Sequence, residues 1–113
     1  MLYFLYEYSV LPNEIIVKEG PANATRGMEG VGGKLYLTNQ RLIFESHAIN
    51  FQTGTTEINI TDITESGIGR TMLFKLFRFT PNMFYVVSNG QRFEFTVYGR
   101  KKWKEALDSI RPR

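Results

Sequence analysis

The chain has 113 residues, 42% of them hydrophobic and 22% charged, with 14 Lys and Arg against 11 Asp and Glu for a net charge of +3. That length supplies one core and not two, and the composition is that of an ordinary globular protein. The lack of cysteine excludes disulfides, thiolate metal ligands and cysteine nucleophiles, while the small positive surplus tilts the surface towards anionic partners.

The opening "MLYFLYEYSVL" alternates Leu2, Phe4, Tyr6, Tyr8 and Val10 with Tyr3, Leu5, Glu7, Ser9 and Leu11. It is too short to span a membrane as a helix and has no basic lead-in of the kind a signal peptide carries. A strand there is apolar on both faces and needs cover on both. Residues 1–12 are therefore expected to form an extension that either lies over the domain or builds a homodimer through residues 1–11. No apolar run approaches membrane-spanning length, so the expected location is cytoplasmic, or peripheral at the inner face of a membrane.

Residues 13–113 are expected to form the domain proper. "NEIIVKEG" reads as a strand ended by Gly20-Pro21. The next segment, "RGMEGVGGK", has glycines without the Walker arrangement: Leu35 stands where Ser or Thr is required, and the segment opens a hairpin rather than a helix. It reads either as an inter-strand loop whose glycines supply positive φ, or as a membrane-dipping tip. In the second reading Met28 and Val31 are shallow apolar anchors, with Arg26 and Lys34 at its base and Lys18 projecting nearby.

"GGKLYLTNQRLIFES" is a hairpin. With a turn at Asn39-Gln40, Leu37 faces Leu42, Leu35 faces Phe44, Tyr36 faces Ile43 and Lys34 faces Glu45, so the apolar residues of both strands share one face. Asn39 suits positive φ and Gln40 does not, which leaves the turn type open. "TTEINITDI" alternates as a strand through Ile58, Ile60 and Asp62, with "HAINFQ" as a candidate partner. "RTMLFKLFRF" fits either a helical face or an aromatic strand, and strand is the expectation, with its large side chains in the core or a subunit interface. An exposed basic amphipathic helix suited to a membrane surface is the other reading of this segment.

"MFYVVSNGQRFEFTV" holds the strongest hairpin signal, Asn89-Gly90, which sets Val86 against Phe93 and Phe84 against Phe95. The period changes only at the end, where Trp103, Ala106, Leu107 and Ile110 form the stripe of an amphipathic helix between Gly99 and Pro112. Its stripe must cover the open end of a curved sheet. Arg100, Lys101, Lys102 and Lys104 occupy its first turns and oppose its dipole, a conflict that a bound anion relieves.

The hairpin "GGKLYLTNQRLIFES", the Ile58-x-Ile60-x-Asp62-Ile63 pattern, "SNGQRFEFTV" and the Trp-bearing helix together resemble a GRAM domain of the pleckstrin-homology-like superfamily, over residues 13–111. The resemblance implies an all-β fold: a seven-stranded, bent antiparallel sandwich or partly open barrel capped by one C-terminal helix. It also implies a binding module for phosphoinositides, other membrane lipids or proteins.

Catalysis is not expected. His47 is the one histidine, there is no cysteine, and Glu57, Asp62 and Glu65 alternate with isoleucines as solvated strand residues do. Neither a cofactor nor a metal is expected, and the modest charge argues against nucleic acid. The leading expectation is reversible docking on anionic membrane lipid through Lys18, Arg26, Lys34, Met28 and Val31, with Arg100, Lys101, Lys102 and Lys104 as a secondary cluster. The alternatives are a protein-interaction or self-assembly domain, and a carrier holding a hydrophobe inside the sheet.

Overall fold

The computed structural model describes residues 11–26, 29–46, 55–69 and 82–111. The chain runs through β1 (Ile16–Arg26), β2 (Glu29–Thr38), β3 (Arg41–Ser46), β4 (Thr55–Asn59), a 3₁₀ turn (Ile60–Asp62), β5 (Ile63–Gly69), β6 (Met83–Ser88), β7 (Gln91–Val97) and α1 (Arg100–Ile110). The strands form one sheet in the order β4-β3-β2-β1-β7-β6-β5, every described pairing antiparallel. The sheet is not closed into a barrel; β4 and β5 are its edges.

Both hairpin registers follow from their apolar alternation. Leu35 pairs with Phe44 and Leu37 with Leu42 in one, Phe84 with Phe95 and Val86 with Phe93 in the other. Asn89 (φ 53°) and Gly90 (φ 79°) make the second turn left-handed, as a two-residue hairpin requires. The Asn39-Gln40 turn has no positive φ. The Thr38 hydroxyl closes it instead, accepting from the N–H groups of Gln40 (3.0 Å) and Arg41 (2.9 Å).

Three expectations are corrected. The first strand does not stop at Gly20-Pro21: β1 continues to Arg26, with Pro21 opposite Lys34. Proline is tolerated because β7 pairs only with Ala22, Asn23 and Ala24, which leaves the Pro21 stretch of β1 an edge on that side. The glycines of "EGVGGK" lie in strand β2, and none of them has positive φ. Gly33 is required by close approach, since a Cβ there would stand 2.3 Å from the Glu45 carbonyl oxygen and 2.7 Å from the Phe44 ring. Finally, "TTEINITDI" is not one strand. β4 ends at Asn59, the 3₁₀ turn intervenes, and the partner of β4 is β3. "HAINFQ", "RTMLFKLFRF", His47 and the strand and homodimer expected of residues 1–10 lie outside the described residues.

The main core lies on one face, called inner here. Ala22, Ala24, Leu35, Leu37, Leu42, Phe44, Phe84, Val86, Phe95 and Val97 meet there, with Trp103 and Leu107 of α1 laid over them. Phe44 and Phe95 rings stand 5.8 Å apart, and Trp103 lies 6.1 Å from Phe84, so aromatic contacts tie the strands and the helix together across this face. On the outer face Tyr36 and Ile43 bury each other with help from Ile16.

Helix α1 begins after Gly99, whose φ of 71° turns the chain out of β7. It is also strapped to the edge strand β5. Arg100 donates to the Gly69 carbonyl (2.8 Å), Ser66 donates to Asp108 (2.9 Å), and Arg111 donates to the Ile63 carbonyl (3.1 Å). The backbone groups at both ends of that edge thereby gain partners.

Candidate functional site

Of the expected basic site, Lys18 and Lys34 do not share a face. Side chains alternate along a strand, so Lys34 shares the outer face of β2 with Tyr36, while Leu35 and Leu37 point inward. Its ammonium lies 3.2 Å from the Glu19 carboxylate and 5.4 Å over the Tyr36 ring. Lys18 would be on Ile16's face in a regular strand, but the register of β1 shifts between these two residues. Ile16 pairs with Thr38, Lys18 with inward-facing Leu37, and the Lys18 ammonium sits 5.2 Å over the ring of Trp103. The extra residue in the bulge therefore puts Lys18 and Lys34 on opposite faces.

Val31 lies within β2 opposite Ala24, half-buried against the core, rather than at an exposed tip. Arg26 ends β1 in register with Glu29, and Met28 lies outside the described residues.

The secondary cluster divides as well. Arg100 is committed to the Gly69 carbonyl, and Lys104 is hydrogen-bonded to Asp108 one turn on. That pairing and the Ser66 hydroxyl outweigh burial and hold the Asp108 carboxyl below its ordinary range. Lys101 and Lys102 remain exposed in the first turn of α1, which has no acidic residue. Lys18, Lys101 and Lys102 are held by neither a carboxylate nor a backbone carbonyl among the described residues, and the Arg26 side chain lies outside them. Lys18 stacks on the Trp103 ring, whereas Lys101 and Lys102 precede Trp103 on α1 and are exposed where it is buried.

The sequence reading missed a buried ionic cluster at the β2–β3 turn. Glu14 and Arg41 have side chains only 2% and 4% exposed. Arg41 donates through Nε (2.7 Å) and Nη2 (2.9 Å) to the two oxygens of Glu14, a bidentate pair, and through Nη1 to half-exposed Glu57 (2.5 Å). The Thr38 hydroxyl donates to Glu14 at 2.8 Å and the Leu11 N–H at 2.8 Å. Burial pushes the Glu14 carboxyl up, but the bonds from Arg41, Leu11 and Thr38 outweigh it and hold it at about 2. Glu14, despite burial, raises the Arg41 guanidinium above its ordinary value, and Glu57 adds to this.

Around the pair, the turn grips the incoming chain. Asn39 accepts from the Ile15 N–H (2.9 Å) and donates to the Asn13 carbonyl (3.0 Å), and Gln40 donates to the Pro12 carbonyl (2.8 Å). The Thr38-Asn39-Gln40-Arg41 run, at the turn of the hairpin that carries the family resemblance, is thus occupied in holding residues 11–15. It is a clamp within the fold.

No family model and no curated protein sequence matches the chain. Among solved structures it is similar to the C-terminal domain of an unknown protein from Leishmania infantum, at 17% identity over 86% of this chain and 84% of that one, with a TM-score of 0.69. It is similar also to the Vps36 N-terminal PH domain (14% identity, 87% and 82% covered, TM-score 0.60). The N-terminal PH domain of human ARAP2 is likewise similar (14%, 82% and 76%, TM-score 0.60). The fold is therefore pleckstrin-homology-like: a seven-stranded antiparallel sheet with one C-terminal helix.

Proposed function

We propose that this chain is a GRAM-type binding module that docks reversibly on anionic membrane surfaces, and that Lys18, Lys101 and Lys102 supply the attraction. The observation that carries the reading is that these three have no carboxylate or carbonyl partner among the described residues, two of them standing exposed in the first turn of α1. An anionic headgroup at the start of α1 relieves the opposition between Lys101, Lys102 and the helix dipole. Each basic residue near an anionic leaflet contributes about 1 kcal/mol, so three give a weak, salt-sensitive association. Lys34 is partly neutralised by Glu19 and is expected to contribute less.

Sedimentation with phosphatidylcholine vesicles, with and without phosphatidylserine, tests this. Binding to the anionic vesicles alone, lost at high salt, is expected. Reversing Lys18, Lys101 and Lys102 to Glu should abolish it, while the Arg26→Glu, Lys34→Glu pair should retain it. The opposite outcome would move docking to the β1–β2 hairpin. No binding to anionic vesicles at low ionic strength would remove the membrane reading and leave protein interaction in its place.

A further inference from the structure

The outer face of the sheet carries a cleft of about 470 Å³ where β1 meets β7. These strands pair only through Ala22, Asn23 and Ala24 with Val97, Thr96 and Phe95, so the seam between them is open beyond that short ladder. Gly32, Asn23 and Thr96 stand in register across β2, β1 and β7. Pro21, Asn82 and Tyr98 extend the lining. A Cβ at Gly32 would come within 3.3 Å of the Asn23 Oδ1 atom, which places that amide over the glycine floor.

Three properties of the cleft bear on what it takes. Its lining has no charged residue, so a phosphate or carboxylate entering it would lose its hydration without a counter-ion. The side chains of Asn23, Asn82 and Thr96 have no hydrogen-bond partner among the described residues. Each asparagine offers one acceptor and a donor, the complement of the C=O and N–H of a peptide group. Beside them Tyr98 is 80% exposed, an aromatic ring not used by the core, and it faces the seam together with the ring of Pro21. Such a wall suits a proline or a small apolar side chain.

We propose that this seam cleft binds an uncharged, extended peptide segment of a partner protein. The peptide's main-chain groups pair with Asn23, Asn82 and Thr96, and a proline or small apolar side chain packs on Tyr98. The cleft shares no residue with the proposed lysine site: Asn23, Gly32 and Thr96 stand on the outer face, and neither Lys18, Trp103 nor any residue of α1 lines it. The two surfaces therefore fail or hold independently.

The test is amide-shift mapping on the full chain, titrated with a capped Ala-Pro repeat peptide that has no charged residue, and separately with maltotriose as a neutral, hydrogen-bonding sugar. The peptide should shift the amides of Asn23, Gly32, Thr96 and Tyr98. Tyr98→Ala, at an exposed position, should weaken binding about tenfold. Gly32→Leu, which fills the cleft from its floor without entering the core, should abolish the shifts while circular dichroism stays unchanged. Shifts with maltotriose but not peptide would assign the cleft to sugars and overturn the proposal. So would the absence of shifts at about 10 mM peptide, beyond the millimolar range of weak recognition. Shifts that survive both substitutions would place the peptide elsewhere and overturn it too.

Discussion

Replacing Glu14 by Gln keeps the shape of the side chain and removes its charge, leaving Arg41, 4% exposed, with only half-exposed Glu57 as a counter-ion. The amide also turns one acceptor oxygen into a donor facing the guanidinium or the Thr38 hydroxyl. The magnitude follows in two ways. A carboxyl held at about 2 instead of 4.5 in the folded state is worth about 3 kcal/mol at neutral pH. Breaking one partner of a buried pair typically costs about 3–5 kcal/mol. The pH dependence has a definite sign: because the folded value is lowered, the stabilisation is complete above about 4.5 and disappears as pH falls through about 2. Urea unfolding of wild type and Glu14→Gln should therefore differ by about 3 kcal/mol at pH 7 and converge as the pH approaches 2. A difference below about 1 kcal/mol, or one that does not change with pH, would refute the clamp.

Trp103→Ala should cost about 3–5 kcal/mol, and native emission should be blue-shifted, because the indole is 2% exposed against Phe84; red emission with unchanged melting would contradict the capping role of α1. Gly33→Ala should destabilise by about 1–3 kcal/mol or more, since its Cβ meets the backbone of Glu45, and a neutral effect by thermal melting would show that β3 can yield there.

Much of the fold could be read from short-range alternation. The pairs Leu35–Phe44 and Phe84–Phe95 are set by period-two patterning around short turns, and Trp103 and Leu107 by the helical period. The site was far less legible, for identifiable reasons. One bulge residue between Ile16 and Lys18 reverses which face Lys18 occupies, and nothing in the apolar pattern marks it. The Glu14–Arg41 pair joins residues 27 apart in the chain, beyond the reach of local pattern. A carboxylate arriving from before β1 leaves no trace in the pattern around the Asn39-Gln40 turn. Pro21 was read as a breaker because the sequence does not show that β7 leaves that side of β1 unpaired.

The straps from α1 to β5 also bear on how this sheet can grow. A sheet has two edges, and here Arg100, Asp108 and Arg111 close one of them at Gly69, Ser66 and Ile63. The other edge, β4, carries no such covering among the described residues. A molecule with one open edge can join a continuous sheet only once. Two copies meeting through β4 would use up each other's open edge and stop there, whereas a sheet with two open edges could add copies without limit. The polar links along α1 thus take the β5 edge out of such growth.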